Sequence, residues 1–179
     1  MSAMSNQPAN TETVTVSVPG QAAFRDGMAR LAAAVHVITT DGPAGRFGFT
    51  ATAVCSVSDT PPTLLVCVNA NTSSLQGLLN NGVLCVNTLA PHLQEVASAF
   101  ASGRPMDERF ASGLFERTPN GVPRLAGALV SFDCRVMNVI EQGSHKVLFC
   151  AVEDIVSTEG EEDALVYFAR RYHTVAGSD

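Results

Sequence analysis

The chain has 179 residues, 46% of them hydrophobic and only 16% charged, and a formal net charge of −6. That length suits one domain with a substantial core, and the composition excludes a disordered chain. A lone lysine, Lys146, and the lack of any basic stripe argue against nucleic acid as a partner, and no apolar run is long enough to span a bilayer.

Residues 1–20 are rich in Asn, Thr, Ser and Gln and end in Pro19 and Gly20, which predicts a flexible N-terminal tail without the basic and apolar regions of a signal peptide. The domain is expected over residues 21–175, with a short C-terminal tail at 176–179. Phe24, Met28, Leu31 and Val35 recur at helical spacing and predict a first amphipathic helix. VHVITT (35–40) alternates as a strand, DGPAG (41–45) is a turn, and residues 46–54 are its hairpin partner. The run 63–69 is a continuous apolar strand. Ser73 or Ser74 is placed to cap a short helix around Leu75, Leu78 and Leu79, which Asn80, Asn81 and Gly82 end. VLCVNTL (83–89) is the next strand, and Pro91 opens a helix with Leu93, Val96, Ala97 and Phe100 on its apolar face.

Residues 102–124 read as a long irregular connection, of the kind that is usually functional or packs on a partner. Two long strands follow at 128–140 and 145–157, then an acidic loop at 159–163 and LVYFARRYHTV as a short strand and tail. Strands outnumber helices, hairpins dominate, and no βαβ alternation exists. The fold class is therefore mainly β, an antiparallel closed or partly closed barrel with a few peripheral helices.

Five cysteines (Cys55, Cys67, Cys85, Cys134, Cys150) without a C-x-x-C pair read as reduced thiols in a cytoplasmic protein. His36, His92, His145 and His173 are too scattered for a zinc site, so no metal is expected. No Ser or Cys sits in a nucleophile-elbow context, and neither G-x-G-x-x-G nor a P-loop is present. What stands out is the segment GFTATAVCSVSDTPP (48–62), where small residues and hydroxyls leave backbone amides approachable by a phosphate-bearing ligand. Other polar residues cluster at strand ends: Asn69 with Asn71, Thr72, Ser73 and Ser74; Asn87 with Thr88; and His145 beside Lys146. Taken singly each suits an ordinary structural part, Thr for packing, Asn for turns, Ser for capping. Asp107, Glu108 and Arg109 read as a solvated charge run.

The order of these segments carries more than any one of them. FRDGMARLAAAVHVITTDG, GFTATAVCSVSDTPPTLLVCVN, LCVNTLA, PMDERF, SFDCRV and GSHKVLFCAV, in that series over about residues 22–175, resemble the short-chain flavin reductase family. That family includes the reductase components of two-component aromatic monooxygenases, such as 4-hydroxyphenylacetate and chlorophenol hydroxylases, and the flavin reductase of pyrimidine degradation. The resemblance implies a split β-barrel that dimerises, with flavin near the subunit interface. It implies that Thr50, Ala51, Thr52 and Ala53 line the flavin, FMN or FAD, with Ser56 toward its ribityl–phosphate end. Asn69, Asn71, Thr72, Ser73 and Ser74 are implied at the ribityl or phosphate groups, and Asn87 and Thr88 on the isoalloxazine side. His145 matches the histidine of the family's G-(D/S)-H motif, beside the nicotinamide, with Ser144 where many members carry Asp. Tyr172 and His173 are weaker candidates for closing over the site. The implied activity is hydride transfer from NADH to flavin, with the reduced flavin diffusing to a separate monooxygenase. NADH is favoured over NADPH because no Arg/Lys cluster suits a 2′-phosphate. Rival readings are a flavin carrier without reductase activity, an oxidase of the pyridoxamine-phosphate type, which would want more basic residues, and a reductase of another acceptor.

Overall fold

A computed structural model describes residues 19–158 and 163–177. The N-terminal tail expected over residues 1–20 lies almost wholly outside them, as does most of the acidic loop.

Why the sheet must curl follows from its strand order. The strands β2 (His36–Thr40), β3 (Phe47–Ala51), β4 (Val54–Asp59), β5 (Pro62–Asn69), β6 (Val83–Thr88), β9 (Val130–Gln142) and β10 (His145–Ser157) form one sheet in the order β3-β2-β6-β9-β10-β5-β4, with every pair antiparallel. Laid flat, the outer strands would lie about 29 Å apart at the usual strand spacing of about 4.8 Å. Yet β3 and β4 are consecutive, and the link through Thr52 and Ala53 spans at most about 11 Å, three Cα steps. The two edges are thus drawn together at that link, and the sheet closes into a barrel. Cys67 N–H donates to Ala53 O at 2.9 Å and fixes the link to the β5 side.

Strand alternation fills the barrel. Ile38, Phe49, Leu64, Val66, Val68, Leu84, Val86, Leu148 and Cys150 point inward and are buried with Leu75 and Leu78 of α2 (Leu75–Asn81). Gly82, at φ 69°, ends α2 in a left-handed cap, within the stretch where the sequence ends that helix. A second core lies outside the barrel wall. Val35, Val37 and Leu89 meet Leu93, Val96, Ala97 and Phe100 of the turn Pro91–Leu93 and helix α3 (Gln94–Ala101), as the apolar stripe predicts.

Three expectations change. Helix α1 (Gln21–Met28) ends before Leu31, and none of its residues is buried; only Val35 of the anticipated stripe reaches a core, as the residue preceding β2. The connection 102–124 is not irregular. It holds α4 (Met106–Phe110) and a hairpin, β7 (Phe115–Arg117) with β8 (Pro123–Leu125). Phe110 and Phe115 anchor it on Phe100 at ring distances of 5.0 and 5.9 Å. The C-terminal segment is a full hairpin, β11 (Ala164–Phe168) with β12 (Arg171–Val175), and β11 also pairs with β1 (Ala33–Ala34).

Candidate functional site

The link that closes the barrel also lines cavities. Thr52 and Ala53 fall between β3 and β4, and their N–H groups donate no backbone hydrogen bond among the described residues. They are the approachable amides that the small-residue segment calls for. Thr52 lines three cavities and Ala53 two of them. One of ≈ 220 Å³ is lined by Phe49, Thr50, Ala51, Thr52, Ala53, Cys67, Val68, Asn69, Thr72 and His145. A second of ≈ 190 Å³ lies among Val35, Thr50, Ala51, Thr52, Ala101, Tyr167 and Tyr172. The third and largest, ≈ 770 Å³, runs from Thr52 and Ala53 to α1 and the β11–β12 turn.

The first cavity brings together side chains from distant segments. Asn69 and His145 are Cα partners at the ends of β5 and β10. Asn69 Oδ1 accepts the Asn71 N–H at 2.9 Å, and its carbonyl accepts the Thr72 N–H at 2.9 Å, so the 71–74 turn is folded onto Asn69. Two of that turn's amides are thereby consumed within it. His145 is exposed, and its Nδ1 lies 3.0 Å from Ser144 Oγ, leaving Nε2 free for a ligand.

Not every hydroxyl is available. Thr50 Oγ1 donates to Ala97 O at 2.6 Å, which ties β3 to α3 and leaves only the rest of Thr50 to the cavity. Ser74 is buried and does not cap α2. Its hydroxyl donates instead to Gly48 O of the barrel wall at 3.0 Å. Gly48 has room for no side chain: a Cβ there would stand 2.5 Å from Phe100 Cε1. Arg109 departs from its solvated reading. It is buried, and its Nε and Nη1 donate to the carbonyls of Arg104 at 2.8 Å and Gly48 at 3.4 Å. Gly48 is therefore held from two sides, two residues before Thr50.

Asn87 stands inside the molecule, fully buried. Its Nδ2 donates to Val37 O at 2.9 Å, and its Oδ1 accepts Leu125 N–H at 2.9 Å and Ser131 O–H at 3.0 Å. Thr88 Oγ1 lies 3.0 Å from His36 Nδ1. Neither residue lines the cavities described. Ser56, Asn71 and Ser73 are exposed and line none of these cavities either, and His173 is exposed with Nε2 3.1 Å from Phe168 O. Tyr172 reaches the second cavity; burial raises its phenol above the ordinary value, opposed by a hydrogen bond with Ser98. Tyr167, its cross-strand partner, lines two cavities and escaped the sequence reading. Reading LVYFARRYHTV as a hairpin would have paired the two rings.

Among the described residues no cluster of His, Cys, Asp or Glu suits a metal. All five cysteines are free, and burial pushes the thiols of Cys85 and Cys150 up to about 12, so these are inert core groups.

The flavin reductase like domain matches residues 28–176. The chain belongs to this family. Over 166 residues, 92% of this chain and 80% of the relative, it is 57% identical to the FMN reductase (NADH) RutF of Methylorubrum extorquens. It is 49% identical to the FMN reductase (NADH) RutF of Pseudomonas syringae pv. syringae across 95% of both chains. Among solved structures, the flavin reductase component of a bacterial two-component tryptophan halogenase superposes with a TM-score of 0.82 at 28% identity, covering 89% of this chain and 100% of the other. The flavin reductase family thus accounts for the split barrel, as the segment order implied.

Proposed function

We propose that the chain is an NADH-dependent flavin reductase that takes FMN as its flavin and releases it, reduced, to a separate monooxygenase. The observation that carries this reading is the cavity in which the free Thr52 and Ala53 amides, Asn69, Thr72 and His145 converge. Relatives at 57% and 49% identity bear the name FMN reductase (NADH), which supports both substrates. The halogenase component supports a two-component arrangement.

The residues present fit a flavin. An uncharged, small-residue wall admits a flat ring close to the backbone, and the amides of Thr52 and Ala53 can donate to its carbonyl and N1 side. Asn69 and Thr72 suit the ribityl hydroxyls. Bound flavin supplies the electron sink, accepting at N5 the hydride that leaves C4 of NADH. The chain's part is to hold the two rings face to face and keep water out, for which no strong acid or base is needed. His145 Nε2 is placed to orient the nicotinamide carboxamide.

A homodimer completes the proposal. By strand register, Ile140, Val147 and Cys67 form one row on the barrel's outer face and Phe149, Leu65 and Cys55 the next. None of the six is buried, and Ile140 is 46% exposed. An apolar sheet face of that extent suits a second copy, which would border the first cavity through Cys67. Free thiols in both rows suit a reducing cytoplasm.

The test is anaerobic mixing of purified protein with NADH and FMN or FAD. Multiple-turnover bleaching of free flavin is the expected result, faster with FMN. Binding of flavin that NADH leaves yellow would establish the carrier reading instead. Sedimentation at micromolar concentration reads the dimer.

A further inference from the structure

Arg109 is the one buried arginine or lysine among the described residues, and it stands in no ion pair there. Its guanidinium meets only carbonyls: Arg104 O at 2.8 Å, Gly48 O at 3.4 Å and Phe100 O at 3.5 Å. Enclosing a charge without a carboxylate is costly. A side chain that merely anchored α4 on α3 could be apolar, as Phe110 beside it is, with its ring 5.0 Å from Phe100. A planar fork does what an apolar group cannot, and reaches three segments at once. Here it joins β3, the last turn of α3 and the chain entering α4.

The contact with β3 bears on the site. That strand stands at the end of the sheet and pairs only with β2. In an antiparallel ladder each residue turns its N–H and C=O to one side, and its neighbours turn theirs to the other. The Gly48 carbonyl accepts from Arg109 and, at 3.0 Å, from Ser74, neither of which belongs to β2. Gly48 therefore faces the open edge, and by alternation so does Thr50. At a rise of about 3.3 Å per residue, Thr50 lies about 7 Å farther along that edge. There it lines two cavities and leads into the link at Thr52 and Ala53. Thr50 is itself tied to Ala97 O, so the edge is fixed at both ends of its approach to the site. Neither Arg109 nor Ser74 lines the cavities, and both reach them through the Gly48 carbonyl.

We infer that Arg109 is a positioning residue for flavin. With Ser74 it holds the Gly48 carbonyl, and so sets the β3 edge and the Thr52 and Ala53 amides before the ring arrives. Donors already in place need no reorganisation when the ring binds. This rests on the reading that flavin binds at that link.

The experiment titrates full-length wild type, Arg109→Met and Ser74→Ala with FMN and with lumiflavin, which carries the same ring without the ribityl phosphate. Methionine keeps a long flexible stem and removes the donors. In Arg109→Met the Kd for both probes should rise about tenfold, the loss of one charge-assisted hydrogen bond. The factor should be the same for both, because the edge meets the ring. Ser74→Ala should raise both by a smaller factor, and the KM for NADH at saturating FMN should stay unchanged. Thermal unfolding is followed alongside. A lower Tm with an unchanged Kd for both probes makes Arg109 an anchor of the fold alone and overturns the inference. A rise for FMN without one for lumiflavin also overturns it, since the effect then lies at the ribityl phosphate. If Arg109→Met does not fold, Ser74→Ala decides, and an unchanged flavin Kd in that variant overturns the inference. Wild-type protein that binds neither probe overturns the flavin site itself, and this inference with it.

Discussion

His145 and Asn69 face one another as the last Cα pair between β10 and β5, at the mouth of the cavity that Thr52 and Ala53 wall. Because the pairing fixes both Cα positions, removing the imidazole leaves the turn on Asn69 undisturbed. His145→Ala should therefore lower turnover with NADH about tenfold, the worth of one orienting hydrogen bond, with flavin affinity unchanged. Stopped-flow reduction alongside flavin fluorescence titration separates the two. Wild-type reduction rates at unchanged nicotinamide affinity would remove His145 from the mechanism.

The neighbour of that histidine offers a second probe. Ser144 Oγ lies 3.0 Å from Nδ1 and helps to set the ring's orientation. Ser144→Ala should lower turnover with NADH by less than His145→Ala does, with flavin affinity unchanged. In the His145→Ala background the serine substitution should have no further effect on turnover, and an additive loss would place Ser144 in contact with the ligand itself.

Asn87 is a stability residue by its geometry. Its amide joins β6 to β2 through Val37 O, to β8 through Leu125 N and to β9 through Ser131. Asn87→Ala would strand a buried N–H, a carbonyl and a hydroxyl at about 1–3 kcal/mol for each group left unpaired. Thermal unfolding should fall by several degrees or the protein should fail to accumulate, while any folded fraction keeps its KM for flavin. A flavin KM that rises in a stably folded variant would return Asn87 to the site.

Sequence pattern disclosed the strands, their hairpins and the segment at the barrel's closure, because alternation and turn residues act locally. It could not sort the polar residues. Asn87 and Asn69 both sit at or near strand ends among apolar neighbours, and only the packing of β8 across β6 decides that one is enclosed and the other open. Arg109 and Ser74 were misread for a related reason: each bonds the Gly48 carbonyl, 61 and 26 residues away, and no local rule anticipates an acceptor at that range. The exposed stripe of α1 is the converse, an amphipathic helix whose apolar face finds no core in its own chain.

His36 should make the fold acid-sensitive. It is 7% exposed, beside Thr88, and burial lowers its pKa from 6.5 to about 4. The unfolded chain therefore binds a proton between those values that the folded one refuses. Stability is full above pH 6.5, declines as pH falls toward 4, and is flat in this respect below it. The total is of the order of 3 kcal/mol. Chemical denaturation from pH 7 to pH 4 should register that slope in the wild type. His36→Gln, which keeps a polar group for Thr88, should flatten it.

Ala169 occupies the first left-handed position of the β11–β12 turn, and its N–H donates to Ala29 O at 2.8 Å. Asn adopts this conformation more readily and retains that donor. Ala169→Asn should thus stabilise the protein by about 1 kcal/mol, which for a chain of this size is about 2–4 °C in Tm. Differential scanning calorimetry reads the effect. A lower Tm would mean that the turn relaxes away from the left-handed pair.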